Sequence, residues 1–149
     1  MRKKLYQILK EVSEFTPASD RHLFLRQNGS VAVKEILRYA FDKNINFVLP
    51  KGEPPFKPFE GYDAEGRLYS ELRRLYLFVE GGNPNLKPVR REFLFIQLLE
   101  SIDSEDAKLL LAVKEKKLPF KGITEKIVRQ AFPDLLPQEE NDEQDITQK

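Results

Sequence analysis

SEDAKLLLAVKEKKLPFKGITEKIVRQAFPDLLPQ, residues 104–138, carries the start and end signals of two helices joined by a short turn. Asp103 stands in the N-cap position before it, and Glu105 and Asp106 follow in what would be the first turn. Acidic side chains there favour the positive end of the helix dipole, and the basic run 114–117 suits the negative end. The pattern predicts a helix that begins after Asp103 and ends within residues 114–117.

The second half of the same stretch predicts a last helix that opens at Gly122 and ends at a proline-containing exit. Lys121 stands just before this start, and Lys126 and Arg129 are three residues apart, so they share a helix face. Unpaired backbone N–H groups and a positive dipole end make a helix start a site for phosphate. The alternative is that the lysines only keep an ordinary helix start solvated.

The rest of the chain also shows helical periodicity. Residues 5–12 carry an i, i+3, i+4, i+7 apolar stripe. Thr16-Pro17 predicts the N-cap and first residue of a second helix, which runs to about Gln27. Asn28-Gly29 would close that helix with residues that tolerate left-handed dihedrals. Ser30 caps a third helix, which runs to about Lys43.

Two further helices complete an all-α fold of about seven. Leu68 to Val79 predicts the fourth helix, and Pro88 starts the fifth. The run Phe93–Leu99 is apolar on almost every side, which predicts that the fifth helix is the buried central helix around which the others pack.

A long loop interrupts this pattern between Asn44 and Gly66. Its prolines exclude a helix interior. It also carries large apolar residues, among them Phe47, Phe56 and Tyr62, which a simple linker would lack. We therefore expect an ordered loop held to the core by its aromatic side chains, with a short extended piece at Phe47–Leu49.

Charge is divided unevenly along the chain. Residues 138–149 carry five carboxylates against one lysine, a net charge of −4, which leaves +5 on residues 1–137 of a chain whose total is +1. The predicted organisation is one helical domain, 1–137, followed by a disordered acidic tail, 138–149, because the tail has only Ile146 to bury. A basic body is compatible with nucleic-acid binding.

Signals for catalysis are nearly absent. There is no cysteine, which excludes disulfides, thiolate chemistry and cysteine-based metal sites. The single histidine, His22, has no acidic, serine or metal-type companion pattern, and no Gly-rich phosphate loop appears. No apolar run is long enough to cross a membrane. The sequence predicts a cytoplasmic, non-enzymatic protein without cofactor, metal or catalytic residue.

The basic side chains of the body remain as functional candidates, each with an ordinary alternative. Lys34 and Arg38 are like charges at i, i+4, which disfavours a helix unless an anion draws them together. Arg38 is also four residues before Asp42, so an intrahelical ion pair would account for it. Lys116, Lys117 and Lys121 bracket the turn into the last helix.

Four segments of the chain form an ordered set: KLYQILKEVSEF (4–15), VAVKEILRYAFDKNINFVLPK (31–51), SELRRLYLFVEGGNPN (70–85) and the 104–138 stretch. In order and content this set resembles the N-terminal all-helical DNA-binding domain of viral ATP-dependent DNA ligases, in particular that of the T-even bacteriophages. The Lys-x-Asp-Gly adenylation motif of the ligases is absent. The resemblance therefore implies a free-standing phage relative of the domain, acting in the host cytoplasm.

In that family the domain grips duplex DNA across the minor groove through phosphate contacts. Carried over by position, the resemblance implies phosphate-binding roles for Lys121, Gly122, Thr124 and Lys126, for Lys117 nearby, and for Lys34, Arg38 and Lys51.

Three functions stay open on the sequence alone. The first is a non-catalytic, sequence-independent binder of nicked or intact double-stranded DNA. The second is an interaction adaptor for proteins of replication, late transcription or virion assembly. The third is a chain that complements a separate ligase catalytic chain.

Overall fold

The computed structural model describes residues 3–59 and 66–138 of the chain. These residues form seven α-helices and no β-strand, which confirms the all-α prediction. Two 3₁₀ segments, Ala18–Asp20 and Leu72–Phe78, accompany the helices. The helices are α1 (Leu5–Glu14), α2 (Arg21–Gln27), α3 (Val31–Phe41), α4 (Arg67–Glu71), α5 (Pro88–Ser101), α6 (Ser104–Lys114) and α7 (Glu125–Ala131).

Helices α1 and α3 form as their sequences predict. The stripe of α1 places Leu5, Leu9 and Val12 in the core with no exposed surface. Ser30 caps α3, since its Oγ accepts the Val33 N–H at 3.2 Å. Local sequence signals, the apolar stripe of α1 and the capping serine of α3, were sufficient to predict these two helices.

The second helix begins at Arg21, not at Pro17. Pro17 has φ −75° and ψ 153°, which is an extended conformation, and Ala18–Asp20 forms a 3₁₀ turn before the helix. A proline at the first helical position needs helical dihedrals. Thr16-Pro17 is therefore an approach to the helix and not its cap.

The turn between α2 and α3 uses Gly29 for its small size. A Cβ added to Gly29 would lie 2.6 Å from the ring of Phe132, the residue after α7. The prediction that Asn28-Gly29 closes α2 with left-handed dihedrals is wrong for Asn28, whose φ is −98°. The close approach of the Phe132 ring explains the glycine.

The predicted fourth helix is α-helical only at its start. After Glu71 it tightens into the 3₁₀ segment Leu72–Phe78, which ends at the extended residue Val79. A 3₁₀ helix has three residues per turn, so residues three apart eclipse one another. Leu72, Leu75 and Phe78 have this spacing, and all three are buried.

The loop after α3 is held against the core, as predicted, by the side chains of Phe47, Leu49 and Phe56. The expected extended piece forms a single antiparallel bridge between Phe47 and Val79. In it the Val48 N–H donates to the Phe78 carbonyl at 2.9 Å. Tyr62, which the prediction also assigned to this loop, lies outside the described residues.

The structure has a central helix, but α6 fills that place and α5 does not. α6 packs against α1, α3 and α5. It buries Asp106 and Lys114 in addition to its apolar residues. α5 buries Phe95, Leu98 and Leu99 on one side only, while Val89 and Phe93 on the other side are 79% and 48% exposed. The apolar content of α5 predicted that the helix is buried on every side. Its neighbours in the fold cover only one face, so the other face remains exposed.

The last helix begins at Glu125, three residues later than predicted. Thr124 is its N-cap, and its Oγ1 accepts the Ile127 N–H at 3.3 Å. Gly122 belongs to the preceding turn. Of the predicted acidic tail, Gln138 is described and exposed, and residues 139–149 lie outside the described residues.

Candidate nucleic-acid interface

The C-terminal ends of α3 and α6 meet at one corner of the molecule, through Lys116. This residue has φ 61°, and the N–H groups of Lys116 and Lys117 donate to the carbonyls of Val113 and Ala112 at 2.9 and 3.0 Å. That pair of bonds is the Schellman ending of a helix, in which glycine is the usual left-handed residue. The chain turns back here with a lysine in glycine's place.

The Lys116 side chain shows why a lysine stands there. Its Nζ donates to the carbonyls of Tyr39 and Asp42 at 2.6 and 2.8 Å. These carbonyls lie at the end of α3, where the last C=O groups of a helix have no intrahelical partner. Burial lowers the pKa of Lys116, and its ammonium group links the ends of α3 and α6.

The loop 44–59 joins the same corner through Lys114 and Glu115. Lys114 is 7% exposed, and its Nζ donates to the Pro50 carbonyl at 2.8 Å while it pairs with Glu115. The Gly52 N–H donates to Glu115 Oε2 at 3.0 Å. The Lys114 hydrogen bond, followed by that of Gly52, lowers the pKa of Glu115. These bonds fix the backbone on both sides of Lys51.

Three exposed lysines surround this corner: Lys43, Lys51 and Lys117. Each is adjacent in sequence to a residue that takes part in the contacts just described. Lys43 and Lys117 form no ion pair with a described residue, and Lys51 has only the longer-range attraction of Glu115. We call Lys43, Lys51 and Lys117 the corner lysines.

Arg38 lies one turn before the end of α3, near this corner, but its charge is already compensated. Its guanidinium donates to Glu35 through Nε at 3.2 Å and through Nη2 at 3.0 Å. The expected ion pair with Asp42 is wrong, because Asp42 is buried and accepts the Asn44 N–H at 2.8 Å. The Glu35 hydrogen bonds raise the pKa of Arg38. Arg38 therefore contributes little net positive field.

The start of α7 has a different construction. The Gly122 N–H donates to Ser13 Oγ at 3.0 Å, and a Cβ on Gly122 would lie 2.2 Å from the Ser13 carbonyl oxygen. Gly122 is thus a packing residue whose N–H is already engaged. Thr124 serves as the cap, so Lys121 and Lys126 are the exposed predicted residues with charge to offer. Neither forms an ion pair with a described residue.

Lys34 lies at the other end of α7. Its Nζ is 5.3 Å from the centre of the Phe132 ring, which follows α7. Seven residues of helix separate the two ends by about 10 Å. The predicted site residues are therefore divided into the corner group (Arg38, Lys51, Lys117), the α7 start (Lys121, Gly122, Thr124, Lys126) and Lys34.

Sequence reasoning missed Lys43, and it named Lys116 only as one of the lysines beside the turn into the last helix. Lys43 stands at the predicted end of the third helix, where lysines are common for dipole reasons alone, so it carried no distinguishing signal. Nothing in the sequence marks Lys116 as left-handed, since glycine or asparagine is the usual indication of that conformation.

The carboxyl group of Asp106 is the most perturbed acid among the described residues. Burial raises its pKa to about 6. Its Oδ1 accepts the Tyr6 N–H at 2.9 Å, at the start of α1, and its Oδ2 has no partner. A perturbed acid can indicate a functional site, but Asp106 has no exposed surface. Its position indicates a cap for α1 supplied by α6.

The described residues contain no group of three or more His, Asp and Glu side chains placed to hold a metal ion. Within the same residues, no helix combines the length and apolarity needed to cross a lipid bilayer.

Comparison with known proteins gives one match. The model of a family described as "Family of unknown function (DUF6433)" matches residues 8–119, about three quarters of the chain. The matched region includes all three corner lysines, Lys34 and Arg38, whereas the start of α7 follows it. A search of curated proteins and a search of solved structures give no match.

Proposed function

The chain belongs to DUF6433, a family of unknown function, and we propose that it is a non-catalytic protein that binds duplex DNA through sequence-independent phosphate contacts. The observation that carries this proposal is the group of corner lysines, Lys43, Lys51 and Lys117. Their backbones are held by the hydrogen bonds of Lys114, Glu115 and Lys116, while their side chains reach solvent. Fixed backbones with exposed ammonium groups suit phosphate contacts that position a protein without reading bases.

Lys121 and Lys126 add two exposed cations at the start of α7, four and nine residues after Lys117. The resemblance to the ligase DNA-binding domain supports the same segment by a separate line of reasoning. Gly122 contributes through packing against Ser13, because its N–H is engaged there. The site that we propose therefore consists of lysine side chains, with Thr124 as the helix cap.

The salt dependence of binding tests this proposal. If three or four lysines each contact a phosphate, the affinity for duplex DNA falls by about 40- to 150-fold between 50 and 200 mM salt. Fluorescence anisotropy with labelled intact and nicked duplexes measures it. No binding at the lower salt concentration would rule the proposal out.

Charge reversal localises the site. The triple variant Lys43→Glu, Lys51→Glu, Lys117→Glu should abolish measurable binding, because like charges then face the phosphates. The matched control Arg67→Glu, Lys87→Glu, Lys108→Glu reverses three exposed cations elsewhere, two of them at helix starts where acidic groups are favourable. Equal loss in the two triple variants would show a diffuse charge effect and contradict the site.

A protein-interaction adaptor on the same fold is the second candidate. The exposed apolar side of α5 favours it, since Val89 and Phe93 are 79% and 48% exposed and the Arg90 guanidinium lies 5.4 Å from the Phe93 ring centre. A pull-down from infected cells, with and without nuclease, discriminates between the two functions. A partner from replication, late transcription or the virion that survives nuclease and is lost in Phe93→Ser supports the adaptor.

A further inference from the structure

A wide groove in the described part of the chain lies away from the corner lysines. It has a volume of about 1110 Å³ and is bounded by α1, the turn from α2 to α3 and the 3₁₀ segment after α4. Its apolar lining includes Ile8, Val31 and Leu72. Val31 is 80% exposed, so an apolar side chain of the groove lining faces solvent.

The rim of the groove is positively charged. Arg26 and Arg73 line it. Arg26 uses its Nε and Nη2 to bind the neutral carbonyls of Ala131 and Gln130, which leaves its charge uncompensated. Arg73 is exposed and forms no ion pair with any described residue. The one acidic residue of the lining, Glu35, is paired with Arg38.

The last described residues are held to α7, a helix that the rim residue Arg26 also contacts. Arg26 holds the carbonyl end of α7 at the groove. On the same helix, Arg129 Nη1 donates to the Pro137 carbonyl at 2.9 Å. Gln138 therefore follows a residue that is held to α7, the helix whose carbonyl end Arg26 binds. The residues that follow, EENDEQDITQK (139–149), carry five carboxylates and a single large apolar residue, Ile146.

We propose that residues 139–149 bind this groove of their own chain. Their carboxylates lie against Arg26 and Arg73, and Ile146 packs on Val31. Ile146 is eight positions beyond Gln138, a length that spans about 26–29 Å when extended, so Ile146 can reach points on the surface up to that distance from Gln138. A short tether also gives the segment a millimolar effective concentration at the groove, which allows modest ionic contacts to hold it.

Docking of this segment also affects DNA binding. This consequence rests on the proposed function. Lys34 stands between the groove residues Val31 and Glu35 in sequence, and its Nζ lies over Phe132. Carboxylates in the groove reduce the positive field on that side and confine phosphate contacts to the corner lysines and the α7 start. The docking itself needs no DNA.

The absence of cysteine from the chain allows a direct test. A nitroxide attached to Thr147→Cys in the full chain carries the only spin label, and NMR relaxation of the backbone amides reports its position. We expect selective broadening of the amides of Gly29, Val31 and Arg73. The broadening should disappear in about 1 M salt, where the screening length falls to about 3 Å.

A charge-reversal pair makes the result specific. Arg73→Glu should remove the selective broadening. Arg67→Glu should preserve it, because Arg67 is an exposed arginine six residues earlier that is not in the groove lining. Broadening spread evenly over the surface, or equal loss in both variants, overturns the proposal. Because no DNA is present, failure here leaves the DNA proposal standing, and failure of the anisotropy experiment leaves this one standing.

Discussion

The two ends of α6 each hold charge away from solvent, but only one end supplies enough partners. At the N-terminal end, Asp106 has no exposed surface, and its carboxylate accepts one N–H while its Oδ2 has no partner. At the C-terminal end, Lys114 and Lys116 each reach two oxygen atoms. A buried charge costs little stability where helix ends and loops provide complementary groups. Where they do not, burying the charge lowers the stability of the fold.

The difference bears directly on function. The lysines at the C-terminal end connect α3, α6 and the loop 44–59 into one corner, and the corner lysines Lys43, Lys51 and Lys117 lie on its outside. The carboxylate at the N-terminal end faces only the first turn of α1. One end therefore positions a charged surface, and the other caps a helix.

The largest expected effect comes from removing the Lys116 ammonium. Lys116→Met should lower the free energy of unfolding by about 2–3 kcal/mol, because the carbonyls of Tyr39 and Asp42 lose a charged donor. Lys116→Gly should cost about 1 kcal/mol less, since glycine relieves the left-handed backbone. Denaturant unfolding measures both variants. If the glycine variant were the less stable of the two, our account of this residue would be wrong.

A stabilising change of about 1–2 kcal/mol is expected from Asp106→Asn at pH 7.5, measured by thermal and denaturant unfolding. Asparagine can still accept the Tyr6 N–H, and it removes a buried negative charge. The pKa of Asp106 is raised from its ordinary 3.8 to about 6 in the folded protein. The folded state therefore binds this proton more tightly than the unfolded chain does.

The pH dependence follows from that direction. The wild-type chain loses this contribution to stability as pH rises from about 4 through about 6, and the loss is complete at about pH 7. The gain from Asp106→Asn should accordingly be near zero at pH 4 and full above about pH 7. A gain that does not change with pH would contradict the burial of a titrating charge.

The smallest expected effect is that of Lys114→Met, about 1 kcal/mol of lost stability. The variant loses the Pro50 hydrogen bond but also the cost of burying an ammonium group, so the two terms partly cancel. The local effect should exceed the global one, because Glu115 then holds Gly52 without its partner. Amide hydrogen exchange at Gly52 should accelerate in Lys114→Met and stay unchanged in Lys108→Met, which alters an exposed lysine of the same helix. Unchanged exchange in both variants would show that Lys114 does not secure the loop.

Periodicity and capping residues determined most of the helices. Ser30 and Asp103 cap their helices as predicted, and Asp103 Oδ2 accepts the Glu105 N–H at 2.8 Å. Asp106 was predicted as a dipole partner of its own helix, but it faces α1. Propensity and capping act over a few residues, so they can be read from the chain, whereas the direction of a buried side chain depends on its neighbours in space.

The candidate site shows the same division. Lys117, Lys121 and Lys126 could be named from sequence because they are basic residues at the turn into the last helix or in its first turns. Lys51 was named only as an implication of the resemblance. Their separation from Lys34, and the compensation of Arg38 by Glu35, could not be predicted, since several acidic partners stand at compatible helical spacings. The packing role of Gly122 was also hidden, because Ser13 is more than one hundred residues away.

The sequence by itself determined the all-helical character of the described residues, the Ser30 and Asp103 caps and the aromatic attachment of the loop 44–59, because these depend mostly on interactions between near neighbours. Only the tertiary structure decided that α6 is the central helix, that Lys116 connects the ends of α3 and α6, and which lysines remain exposed around that corner. Those outcomes depend on contacts between residues far apart in sequence, and no local pattern records which distant carbonyl, carboxylate or ring a side chain will meet.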